Sequence, residues 1–141
     1  MATARRRVVA ACFLVAVVAT SGSLFYSLGL GFYPCELCWY QRILMYPLVV
    51  VLGYATLTDW PDVHRVVLPL SVPGLAIALY HSYLQLSPTA TCSVGGCGAV
   101  HLRVLGLSIP NQSALAFALL TLGMGWVWRE YRRGRPPQRP P

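Results

Sequence analysis

Charge is scarce in this chain. Only 11% of its 141 residues are charged, four of them acidic, and all eleven basic residues are arginine because lysine is absent. With 56% hydrophobic residues, the composition excludes an ordinary soluble domain, although the length would suit one. The net charge of +7 does not form a nucleic-acid-binding patch, because the arginines cluster just outside long apolar blocks. No segment repeats internally. The first apolar run follows Arg5-Arg6-Arg7 and so resembles a secretory signal. It exceeds the usual apolar core of about 7–15 residues and lacks a clean cleavage site, which favours an uncleaved helix.

What the chain has is four apolar blocks of membrane-spanning length: Val8 to Leu30, Trp39 to Leu57, Val66 to Leu86 and Asn111 to Trp128. A hydrocarbon layer of about 30 Å takes about 20 residues of helix. Backbone groups in lipid must bond within their own segment, so each block is read as a helix. The expected fold is all-α, an integral membrane four-helix bundle over residues 1–128. A basic, Pro-rich tail follows over 129–141, and its composition predicts disorder.

Charge placement gives the topology. Arg5, Arg6 and Arg7 precede the first block, Arg65 lies between the second and third, and Arg129, Arg132, Arg133, Arg135 and Arg139 follow the fourth. The positive-inside rule assigns all of these, and both termini, to the cytoplasmic side. An even number of spans agrees. Tyr33, Trp39, Tyr40, Tyr80 and Tyr83 then gather at the outer boundary, and Trp60, Trp126, Trp128 and Tyr131 at the inner one, as aromatic belts should. The second outer loop, Ser87 to Pro110, is long enough to be functional. Its apolar second half, AVHLRVLGLSIP, predicts a short interfacial helix.

Four of the five cysteines fall on the outer side. Cys35 and Cys38 form a Cys-x-x-Cys behind Pro34, which stiffens the entry to the second helix. If Cys38 opens that helix, the helix N-terminus favours its thiolate, while Glu36 opposes this. Cys92 and Cys97 flank Ser93-Val94-Gly95-Gly96, a small flexible loop open to attack by an incoming thiolate. Two dithiols at a membrane boundary point to an electron relay. Static disulfides, which persist on an exported face, are the bland alternative. A four-cysteine zinc site is another.

Other polar residues stand inside or beside the spans. Arg42, four residues after Cys38, shares its helical face and would lie about 6 Å deeper. Such a charge is costly and tends to be functional, as a partner for a thiolate or a reduced quinone. Snorkelling to the headgroups is the plainer reading. His81 and Gln85 share a face of the third helix, where they could bond a quinone carbonyl, supply a proton or serve as an ordinary polar pair in a bundle. Cys12 reads as a small packing residue. His64 and His101 read as interface residues.

The stretch PCELCWYQRILMYPL resembles the DsbB family of membrane disulfide oxidases, especially its short BdbC branch. LYHSYLQLSPTATCSVGGC and LGLSIP fit the same pattern, and the resemblance spans residues 8–128. It implies a bacterial cell-membrane protein that reoxidises an extracytoplasmic thioredoxin-like dithiol oxidase of DsbA or BdbD type. The electrons would pass to ubiquinone or menaquinone. Carried over by position, Cys92 and Cys97 would face the partner and Cys35 and Cys38 the quinone. Arg42 would lie beside the quinone, with His81 and Gln85 near its ring. The resemblance includes no metal site. The second pair is closer in sequence than in longer members, as in the short branch. A vitamin-K-epoxide-reductase-like protein is a rival, but that family carries its Cys-x-x-Cys in a late helix.

Overall fold

The computed structural model describes residues 2–31, 34–86, 103–104 and 107–134. Four helices dominate them: α1 (Ala2–Leu24), α2 (Glu36–Thr58), α3 (His64–Leu86) and α4 (Ile109–Gly134). A five-residue π-helix, Phe25–Gly29, continues α1. α1 packs on α2 and α4, and α3 packs on α2 and α4, so the helices close into a ring of four.

The core follows helical spacing. α1 contributes Val9, Cys12 and Ala16, and α2 contributes Met45, Leu48, Leu52 and Ala55. α4 adds Ala116, Phe117, Leu120, Met124 and Val127. Cys12 is therefore a core residue, as its place in the first apolar block suggests. The outward faces are apolar too: Val18, Leu28, Val50, Leu57 and Leu122 are each at least 70% exposed. A bundle greasy on both faces is suited to lipid. Three helical segments, Thr3–Gly29, Glu36–Thr58 and His64–Gln85, are long and apolar enough to cross a membrane. α4 is 26 residues long, but Asn111, Gln112 and Ser113 at its start and the charges from Arg129 onward shorten its apolar stretch. Packing on α3 and α1 holds it as the fourth member.

Small residues let these helices approach closely. At Gly74 in α3, an added Cβ would fall within the ring of Phe117, which is fully buried. Gly74→Ala should therefore force α3 and α4 apart and cost about 1–3 kcal/mol. A melting temperature in detergent equal to that of the parent would contradict this packing.

The basic segments meet at one end of the ring. Arg5 Nη2 donates to the Asp59 carbonyl at 3.2 Å, and Arg6 pairs with Asp59 at 3.7 Å. Asp59 caps α2 in the left-handed region, at φ 52°. Arg65 lies over Tyr131, 5.8 Å from the ring centroid. Exposed ion pairs of this kind add little stability. Their value here is that they fix the N-terminal lead, the α2–α3 turn and the end of α4 on the same side.

Two expectations change. In the segment read as an interfacial helix, Arg103–Val104 (β1) and Leu107–Ser108 (β2) pair antiparallel, and α4 already begins at Ile109. β pairing satisfies backbone groups that a short helix would leave open at its ends. α4 also runs on through residues 129–134, which were read as the start of the tail. Residues 135–141 lie outside the described residues.

Candidate functional site: a dithiol, a buried histidine and a tethered arginine

The site begins at the start of α2. Cys35 is the N-cap residue, extended at φ −69° and ψ 169°, and its carbonyl accepts from the Trp39 N–H at 3.1 Å. The helix thus starts at Glu36, three residues before the apolar block, and Cys38 falls in its first turn. One turn brings the sulfurs of Cys35 and Cys38 to 2.9 Å. Both residues are half-buried, and no S–S bond joins them. A disulfide needs about 2.05 Å, so a small closing movement separates the two states.

α3 supplies the third group. His81 is 3% exposed, and its Nε2 lies 3.8 Å from Cys35 Sγ. Its Nδ1 is 3.2 Å from Nε2 of Gln41, which is also buried. The four residues form a chain, Gln41–His81–Cys35–Cys38. With the Gln41 amide donating to Nδ1, the neutral ring carries its proton on Nε2 and donates it to the Cys35 sulfur. With the amide turned over, Nδ1 carries the proton and Nε2 accepts from the thiol. Either way, the amide sets which partner Cys35 meets.

The Cys35 thiol is pushed up to about 11 by its hydrogen bond with Cys38 and by burial, against the opposing pull of His81. Only the thiolate reacts with an alkylating agent. Alkylation of Cys35 in the reduced protein should therefore be slow at neutral pH and keep rising towards pH 11. A plateau by pH 9 would contradict this environment. The same shift adds stability to the reduced fold below the thiol's ordinary range. That contribution is lost as pH rises through about 11.

Arg42 faces another way. Its Nε donates to Ser23 Oγ at 3.0 Å and its Nη2 to the Ser23 carbonyl at 3.1 Å and to Ser27 Oγ. Its guanidinium stands 5.5 Å from the Trp39 ring centroid. These partners lie at the junction of α1 and the π-helix, where Ser27 Oγ also donates back to the Ser23 carbonyl at 3.3 Å. π-turns of this kind are frequent at functional sites. Here the turn carries Ser27 towards the arginine, so a charge inside the span is satisfied by hydrogen bonds.

The sequence-based candidates thus divide. Cys35, Cys38 and His81 come together, and Arg42 sits one helical turn past Cys38, tied to α1. Gln85 is half-buried, one turn beyond His81, and makes no hydrogen bond to them among the described residues. Cys92, Cys97 and His101 lie outside the described residues. His64 is buried at the opposite end, its ring tilted against that of Tyr131 with centroids 5.1 Å apart. Gln41, Ser23 and Ser27 were not singled out from sequence. Gln41 carried a usable signal, being an uncharged polar residue inside a span, three positions after Cys38. Among the described residues, one group has the donors for a metal ion: Cys35, Cys38 and His81, whose ligand atoms all lie within 4.8 Å of one another.

A profile of the disulfide bond formation protein DsbB matches residues 5–127, a stretch that takes in α2 and α3 whole and most of α1 and α4. The chain belongs to the DsbB family. Among similar proteins, disulfide bond formation protein C of Bacillus subtilis is 40% identical over 120 residues, covering 81% of this chain and 87% of the relative. A probable disulfide formation protein of Deinococcus radiodurans is 38% identical over 128 residues, with 81% and 84% covered. One of Chlamydia muridarum is 42% identical over 110 residues, with 74% and 80% covered. No solved structure matches significantly. DsbB membership displaces the vitamin-K-epoxide-reductase-like alternative. It makes the chain a disulfide bond formation protein with protein-disulfide oxidoreductase activity, built as a membrane helix bundle.

Proposed function

We propose that this DsbB-family protein reoxidises a thioredoxin-like dithiol oxidase outside the cytoplasm and passes the electron pair to a membrane quinone. It would reside in the bacterial cell membrane, with its cysteine end facing outward and its basic end in the cytoplasm. Cys92 and Cys97 exchange with the partner, and Cys35 and Cys38 are the second dithiol. The observation that carries this reading is the Cys35–Cys38 pair, poised at 2.9 Å with His81 against Cys35.

Each exchange step breaks one S–S bond and forms another through a mixed disulfide. A thiolate from the loop pair attacks one sulfur of the oxidised Cys35–Cys38 bond and the other sulfur leaves. The second loop thiol then resolves the mixed disulfide. The loop pair ends oxidised and Cys35 and Cys38 end reduced. His81 holds or releases the proton at Cys35 Sγ as that sulfur changes state, and Gln41 keeps the imidazole turned towards it.

The surroundings fit a quinone. Trp39 and Tyr40 are 53% and 47% exposed beside Cys38, offering flat apolar surface at the lipid edge. Arg42 spends Nε and Nη2 on Ser23 and Ser27, and its Nη1 group makes no hydrogen bond to a described residue. Trp39 and Arg42 would hold the ring and one of its oxygens, with His81 and Gln85 nearer α3. Bound there, a quinone supplies a two-electron acceptor that respiration keeps regenerating. A soluble thiol pool cannot accept electrons from a strongly oxidising partner. The protein's own contribution is proximity and orientation.

Expression in cells that lack their own disulfide oxidase, together with a thioredoxin-like partner, tests this reading. The partner should return to its oxidised form. A partner that stays reduced, with the membrane protein present and folded, would favour a non-catalytic scaffold with structural disulfides.

A further inference from the structure

The same pair of thiols forms a second kind of site with His81. We propose that reduced Cys35 and Cys38, together with His81 Nε2, bind a thiophilic divalent cation of the Zn2+ class, and that oxidation of the pair abolishes the site. The proposal needs the reducible pair of the relay described above but not the quinone, so the two can fail separately.

Three ligand atoms of the right chemistry converge within 4.8 Å. Tetrahedral zinc, with Zn–S of about 2.3 Å and Zn–N of about 2.0 Å, sets S···N edges of about 3.6 Å and an S···S edge of about 3.8 Å. The Cys35 Sγ to His81 Nε2 distance, 3.8 Å, is already close to that edge. The sulfurs, at 2.9 Å, must open by roughly 0.9 Å to match the tetrahedral edge, a movement within reach of the Cys38 side chain in the first turn of α2. His81 is buried and oriented by Gln41. An amide that receives the Nδ1 proton and leaves Nε2 free is the usual outer support of a metal-bound imidazole.

Charge also balances. Binding releases the two thiol protons and forms two Zn–S bonds and one Zn–N bond, with no change of oxidation state. Two thiolates neutralise the dication, so the complex carries no net charge at the edge of an apolar bundle. Three protein ligands leave the fourth position to water. Oxidation consumes both sulfur ligands, so only the reduced state can hold the ion. A chain caught reduced in the presence of the cation would be blocked, because neither sulfur is then available for exchange.

The test uses the full chain in detergent, reduced with a phosphine and freed of reductant without air. Zn2+ is titrated against a chromophoric chelator, with Cys92→Ser/Cys97→Ser beside the parent. The proposal expects one tight Zn2+ per reduced chain in both proteins and none per oxidised chain. His81→Ala should weaken binding by about tenfold or more, since loss of even an outer-shell partner costs about 10–100-fold. Co2+ added to the double variant, with His81 unaltered, gives an independent readout. Visible bands of a tetrahedral site with two thiolate ligands and one imidazole are expected. Failure of the reduced protein to compete for Zn2+ would overturn the proposal. So would binding lost in the double variant, which means a four-cysteine site, or binding and Co2+ bands unchanged in His81→Ala.

Discussion

With Cys38 replaced by alanine, the partner oxidase should accumulate fully reduced in cells, at the level seen when the membrane protein is missing. Two electrons leave a dithiol as a pair, and a single remaining thiol at Cys35 cannot close the bond that releases them. In the proposed relay the electrons would then stop at Cys92 and Cys97. The effect is all or none because no other sulfur can substitute. Cys12, the remaining cysteine, is 5% exposed in the core on the face of α1 that meets Gly123 of α4. Thiol trapping of the partner reads the outcome directly. A partner kept oxidised by Cys38→Ala would remove the relay, whereas Cys12→Ala should leave the partner oxidised.

His81→Ala should have the next largest effect, slowing electron transfer by about 10²-fold or more, the lower end of what a placed acid–base group contributes. The imidazole is buried and is the described side chain placed against Cys35 from α3, so its loss removes the group positioned to handle that sulfur's proton. The variant should also change the pH dependence. If His81 handles the Cys35 proton, the parent and the alanine variant should differ in pH profile, the variant's rate depending on thiolate formation alone. Gln41→Leu should fall between the two, with the histidine present but its tautomer unset. A His81→Ala rate with the parent's pH profile, at any magnitude, would assign His81 to packing.

The four helices were legible because lipid imposes a simple demand on length and composition, and the arginine clusters marked one end. The boundaries shifted for local reasons. α2 starts at Glu36 because Cys35 takes the N-cap, and α1 extends back through Arg5–Arg7, where Arg5 and Arg6 reach Asp59 in the α2–α3 turn. The 103–108 pairing was missed because its apolar run gives the same signal for a strand as for an interfacial helix. Gly106, which the sequence places between the two halves, was the available cue.

The site was legible by residue type more than by partnership. The Cys-x-x-Cys, Arg42 and His81 all stand out as polar groups at membrane depth. Which of them meet depends on how α2 is rotated against α1 and α3, and spacing along one helix does not encode that. Cys38 and Arg42 share a face by count, yet Arg42 is held by Ser23 and Ser27 of the preceding segment. His81, which its place beside Gln85 offers to a quinone carbonyl or to proton supply, lies against Cys35 and Gln41.

Quinone reduction by the purified protein tests the central claim most directly. A reduced thioredoxin-like partner is the donor, and quinone absorbance is followed with and without each of Cys35, Cys38, Cys92 and Cys97. The account expects catalytic loss of absorbance that needs all four. Intact disulfides and no reduction, across several quinones and partners, would contradict the relay and leave a membrane scaffold held by structural disulfides.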